Sequence, residues 1–143
     1  GILIYSPIFI FSLVGLYLLF KKGIERNLQY YIFGVIVLIH TLVISLWKHW
    51  FGGYSFGYRM SSDIIPYLIF LLIPFVESKY FEKYKKIFYF SMFFSILVHF
   101  SGIVFFDGIW HGTYDTGYKD TSWLWSLKNS EFLFNLKRIL IKL

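Results

Sequence analysis

Residues 50–63 read Trp50, Phe51, Gly52, Gly53, Tyr54, Ser55, Phe56, Gly57, Tyr58, Arg59, Met60, Ser61, Ser62, Asp63, and they lie between two long apolar stretches. A bare connector between membrane helices needs none of this chemistry. Gly52, Gly53 and Gly57 permit positive φ and let the backbone come close to a bound group. Ser55 offers a hydroxyl. Arg59 carries a fixed charge on a planar donor fork, which suits phosphate or carboxylate. Trp50, Tyr54, Phe56 and Tyr58 can stack on a sugar or anchor in the lipid headgroup zone. Asp63 either joins such a site or pairs with Arg59. The plainer alternative is an interfacial loop whose arginine meets lipid phosphates, and the residue types alone leave both readings open. The candidate binding set is Trp50, Gly52, Gly53, Ser55, Arg59 and Asp63.

The elements around this loop follow from composition. The 143 residues are 57% hydrophobic and 24% aromatic, with mean hydropathy +0.61. Soluble domains average about 45–50% apolar even with glycine counted. Here the apolar residues fall in long blocks, which predicts an all-α membrane protein of about four transmembrane helices, near 2–20, 29–47, 60–80 and 87–106. Each is long enough to cross a hydrocarbon core of about 30 Å at about 1.5 Å per residue. Pro7 lies in the first turns of the first block, where a missing N–H is tolerated. The third block is the least regular. Ser61 or Ser62 suits its N-cap and Asp63 the positive end of its dipole, while Pro74 should kink or end it. A re-entrant segment is the competing reading there. Residues 77–86 read as a charged connector. Residues 107–143 form a tail that ends in an amphipathic helix near 130–143. Its apolar face holds Phe132, Leu136, Ile139, Leu140 and Leu143, and its polar face Glu131, Asn135, Arg138 and Lys142. Such a helix lies in the interface or docks on the bundle.

The net charge is +6. The Lys and Arg residues flank apolar blocks and form no basic stripe, which excludes nucleic acid as the partner and points to membrane orientation. Lys21, Lys22 and Arg26 share a side with Lys79, Lys83, Lys85 and Lys86 if every block spans. That side reads as cytoplasmic in a plasma (inner) membrane, and the 48–62 loop and the tail then face the extracytoplasmic space. Without cysteine there are no disulfides, thiolate metal sites or thiol nucleophiles. His40 and His99 lie within apolar blocks and read as neutral imidazoles bonded to neighbouring helices. A zinc site from His40, His49, His99 and His111 would need different depths to converge, so no metal or cofactor is expected. Asp107, Asp115 and Asp120 sit in a turn-rich loop. Apolar sequence begins at once after Gly1 with no basic leader, which reads as the interior of a longer protein. The amino-terminal remainder of that protein is then a partner, with membrane lipids.

The order W-F-G-G-Y-S-F-G-Y-R, followed by Asp63 and Pro66, resembles a recurrent segment of polytopic membrane glycosyltransferases of the GT-C superfamily, the protein-mannosyltransferase-like and lipid-A-sugar-transferase-like enzymes. The run from Gly1 through Tyr5, Ser6 and Pro7 is similar to the opening of a late helix in those proteins. Asp107, Gly108, Trp110, Asp120, Leu124 and Trp125 are similar to the end of their chains. Ser126 and Leu127 depart from that pattern, which has an acidic and an aromatic residue there. The resemblance implies an enzyme that moves a sugar from a polyprenyl-phosphate carrier to an extracytoplasmic acceptor. It implies a general base in an amino-terminal loop absent from this sequence, and a binding role for this carboxy-terminal part, with Arg59 on the carrier phosphate. The alternative is a non-enzymatic scaffold, or a transporter or flippase subunit, that grips the same headgroup.

Overall fold

The computed structural model describes residues 1–21, 27–47, 50–115 and 120–142. Lys22, Arg26, Lys48, His49 and Leu143 lie outside this set, as do the side chains of Ile139, Leu140 and Lys142. The chain is all-α, with no strand among the described residues.

The first apolar block is a broken helix, where a continuous one over 2–20 was expected. It comprises α1 (Ile2–Tyr5), a 3-10 turn over Pro7–Phe9 and α2 (Ile10–Phe20). Ser6 sits at the break with φ −136° and ψ 72°. The ring of Pro7 clashes with a helical conformation of the preceding residue, so the interruption is local in origin. α3 (Leu28–Leu46) is regular, and it leaves Val35, Leu38, Ile39 and Leu42 exposed.

The third block is built from a 3-10 segment over Arg59–Ile64, then α4 (Ile65–Phe70) and α5 (Ile73–Val76). Pro74 has no N–H for the Phe70 carbonyl, so α4 stops at Phe70, as its position in the sequence foretells. α6 (Phe81–Phe105) starts inside the expected connector. The charged run at its start suits a helix, since Lys85 reaches Glu82 at 2.6 Å across one turn. Leu28–Leu46, Arg59–Val76 and Phe81–Phe105 are long and apolar enough to cross a membrane, and Pro7–Phe20 is a shorter apolar helix. This is the make-up of a membrane protein.

A broken helix in lipid must have its freed backbone groups covered by protein. Here α2 covers the α4–α5 turn. Ser12 is fully buried and donates to the Leu68 carbonyl at 2.7 Å. Beside it, Gly15 allows the Leu71 carbonyl to approach so closely that a Cβ would stand 2.2 Å from the oxygen. The Tyr31 hydroxyl donates to the Leu19 carbonyl at 2.9 Å and ties α3 to α2. Ile8, Phe9, Ile64, Leu68, Phe75 and Phe88 form the core of this bundle.

The tail contains α7 (Ile109–Tyr114), a 3-10 turn over Ser122–Trp125 and α8 (Glu131–Lys142). α8 has the periodicity read from the sequence, and of the two placements left open there it docks on the bundle, with Glu131 and Asn135 of its polar face turned inward. Glu131 is 2% and Asn135 5% exposed, whereas Leu133, Leu136 and Ile141 are exposed. The bundle meets this helix with polar donors, described below, and an exposed apolar side suits lipid. Arg138 reaches Asp107 at 2.6 Å and lies over the Phe134 ring.

Candidate functional site

The break at Ser6 sets up one end of the bundle. Ser6 is 2% exposed, and its Oγ lies 2.8 Å from the Tyr58 hydroxyl and 2.8 Å from His99 Nε2. The Tyr58 hydroxyl is 3.0 Å from the same nitrogen. Burial pushes the Tyr58 hydroxyl above its ordinary value, partly opposed by the Ser6 hydrogen bond, so it stays protonated at neutral pH. A serine beside a histidine has the spacing of a nucleophile and its base. Ser6 lines none of the cavities described here. The trio instead pins the residue 50–58 loop to the first segment and to α6. Phe56 adds to the joint, since a Cβ on Gly102 of α6 would stand 2.3 Å from its ring.

The loop meets the tail through aromatic rings. Trp50 packs on Trp125 at 5.7 Å between centroids, Phe51 on Trp123 at 5.9 Å and Tyr54 on His111 at 5.3 Å. The Trp110 indole N–H donates to the Asn129 carbonyl at 2.7 Å, which fixes α7 against the approach to α8.

Glu131, in the first turn of α8, is the hub. Its Oε2 accepts from the Tyr5 hydroxyl at 3.1 Å and from the Gly57 N–H at 3.2 Å. Gly57 holds φ at +75° to present that N–H, a conformation that side-chain-bearing residues adopt rarely. Oε1 lies 3.5 Å from His111 Nε2 but makes no hydrogen bond. His111 Nε2 lies 3.2 Å from the Ser55 carbonyl. A carbonyl can only accept, so Nε2 carries a proton. Glu131 Oε1 and His111 Nδ1 are buried without a hydrogen-bond partner among the described residues.

These groups border a cavity of about 420 Å³, lined among others by Tyr5, Trp50, Ser55, His111, Trp125 and Glu131. A second cavity of about 260 Å³ shares Tyr5, Trp50, Trp125 and Glu131 with it and continues to Phe132 and Leu133. The larger volume is in the range of small-molecule sites, roughly 300–1,000 Å³.

Of the sequence-predicted residues, Trp50 and Ser55 line the larger cavity. Gly52 and Gly53 take φ of +86° and +65° and turn the loop, but they line none of these cavities. Arg59 is exposed and lies between Tyr58 and Ser61, both of which border the cavity. Its guanidinium makes no hydrogen bond or ion pair among the described residues. Asp63 is exposed on the 3-10 segment and makes no ion pair with Arg59. The alternative of an Arg59–Asp63 pair is therefore not formed, and both residues are exposed on the 3-10 segment.

Tyr5, His111 and Glu131 were not foreseen as site residues. The available signal was Glu131 itself, an acid in line with Asn135 on a helix otherwise basic. The remaining candidates settle into local roles. His40 Nε2 lies 2.9 Å from the Met60 carbonyl. Asp107 accepts from the Ile109 N–H. The Ser122 N–H holds the Asp120 carboxyl below its usual range. No group of three His, Cys, Asp or Glu stands together for a metal among the described residues. Comparison of the chain with protein-family models, curated proteins and solved structures gives no match.

Proposed function

We propose that this end of the bundle binds the headgroup of a lipid-linked sugar phosphate, as the carrier-binding part of a glycosyltransferase that uses a polyprenyl-phosphate donor on the extracytoplasmic face. The observation that carries the reading is the aromatic-walled cavity between the residue 50–58 loop and the tail, with one carboxylate–imidazole spot inside and the exposed Arg59 next in sequence to its lining residue Tyr58. Sugars present apolar C–H faces that pack on aromatic rings, and hydroxyl edges that need polar partners. Trp50, Trp110 and Trp125 supply the rings. A phosphate needs a cation, and the Arg59 guanidinium has no partner of its own among the described residues. The apolar exterior of α3 and α6 suits a site reached from the bilayer, where a polyprenyl chain resides.

Arg59→Ala tests the reading in the full-length protein reconstituted in nanodiscs. A charge-assisted contact to phosphate contributes about 1.5–3 kcal/mol, or roughly ten- to a hundredfold in affinity. Undecaprenyl phosphate should therefore bind at least about tenfold more weakly, with the melting temperature unchanged because the side chain is exposed. Equal binding by the variant and the wild type would remove Arg59 from the site.

A further inference from the structure

We infer that the Glu131–His111 spot reads the sugar's hydroxyl groups and so sets which way round the carrier headgroup lies. This rests on the reading of the cavity as a carrier site. Both side chains are nine-tenths or more buried, at 2% exposure each, and both border the cavity. Oε2 of Glu131 is committed to Tyr5 and Gly57. The proton on His111 Nε2 is directed to Ser55 by the carbonyl it meets. Three buried side-chain atoms lack a partner among the described residues, Glu131 Oε1, His111 Nδ1 and Asn135 Oδ1; only the first two belong to residues that line this cavity. A carboxylate oxygen can only accept, so Glu131 Oε1 asks for a donor, and His111 Nδ1 stands beside it as a second uncommitted polar atom.

An unmet buried acceptor is costly, and a complementary donor recovers that cost. Phosphate monoesters and diesters present acceptors and negative charge, and both are repelled at a carboxylate. Saccharide hydroxyls donate. The sugar ring accordingly stands at Glu131 and His111, with a face on the Trp50–Trp125 pair, which packs at 5.7 Å with the rings tilted 38°. The phosphate lies away from it, toward Arg59. The ligand class is a neutral polyhydroxylated sugar on a phosphate-bearing lipid, bound sugar inward.

The test compares undecaprenyl phosphate with its glucosyl, galactosyl and mannosyl forms on the full-length protein in nanodiscs. The wild type should bind at least one glycosyl form about tenfold or more tightly than the bare carrier. Glu131→Gln keeps an oxygen for Tyr5 and Gly57 and puts an NH₂ donor where Oε1 stood. It should bring that preference, the ratio of glycosylated- to bare-carrier affinity, close to onefold. A deoxy series of the preferred sugar, bound to the wild type, repeats the question without altering the protein. One hydroxyl deletion should cost about tenfold. The inference is overturned if the sugar adds no affinity, if Glu131→Gln keeps the preference, or if no hydroxyl deletion matters. Binding of the bare carrier without sugar preference sinks this inference alone. Binding of neither bare nor glycosylated carrier sinks the function proposed above as well.

Discussion

Glu131→Leu is expected to loosen α8 from the bundle and to lower stability by about 2–4 kcal/mol. The substitution leaves the Tyr5 hydroxyl and the Gly57 N–H without their shared acceptor. Each buried donor stranded in this way costs about 1–3 kcal/mol. Relief from the cost of burying a carboxylate offsets part of the loss, so the net figure stays below the sum. The effect should be larger than for a hydrophobic substitution elsewhere on α8, because one carboxylate joins three segments far apart in sequence. Thermal melting in detergent gives the size of the loss. Limited proteolysis gives its location, with new cleavage between residues 115 and 142. Unchanged melting and an unchanged cleavage pattern would mean that Glu131 does not hold the tail.

Gly15→Ala is expected to have the opposite sign to the usual helix effect. Alanine for glycine in a helix interior ordinarily stabilises by about 1 kcal/mol. At Gly15 the new Cβ would meet the Leu71 carbonyl oxygen at 2.2 Å. That atom is backbone in the α4–α5 turn and cannot rotate away. α2 must then move off the turn, which exposes carbonyls in a setting without water to take them. Overpacking of this kind costs about 1–3 kcal/mol, and lost cover over the turn places Gly15→Ala at the upper end. Gly34→Ala is the internal comparison. Its Cβ would meet only the Leu16 side chain, at 2.8 Å, and a leucine can change rotamer. A denaturation series in detergent should show Gly15→Ala clearly destabilised and Gly34→Ala near wild type. Equal effects would mean that the close approach at Leu71 does not hold the helices together.

Three of the four apolar blocks were legible as helices long enough to cross a membrane, because length and apolarity are enough to recognise them. Pro74 also announced the end of α4, since the missing N–H acts wherever the proline stands. Pro7 was harder. A proline in a first turn is normally harmless, but here residues 2–5 already form a helical turn before it, so its ring breaks the helix at Ser6. The early start of α6 was hidden by Glu82 and its lysines, whose charge imitates a connector while their spacing supports a helix. α8 shows the limit most clearly. Its two faces were plain from the sequence, but which one turns inward depends on what it meets. Tyr5 and Gly57 offer donors to Glu131, so that side of the helix turns inward and leucines look outward. The loop's composition marked residues 50–58 as unusual, and its glycines do take positive φ. Tyr5, His111 and Glu131 could not be grouped with it, because they come from both ends of the chain.

The central claim is that the residue 50–58 loop and the tail enclose a carrier headgroup. Photolabelling of the full-length protein in nanodiscs tests it most directly, with undecaprenyl phosphate glucose bearing a diazirine on the sugar. Mapping the adducts should place them on peptides containing Trp50 to Tyr58 and on those containing His111, Trp125 or Glu131, and unlabelled undecaprenyl phosphate glucose should compete them away. Adducts confined to the exposed side of α3 at Leu38, Ile39 and Leu42, or insensitive to competitor, would contradict the account.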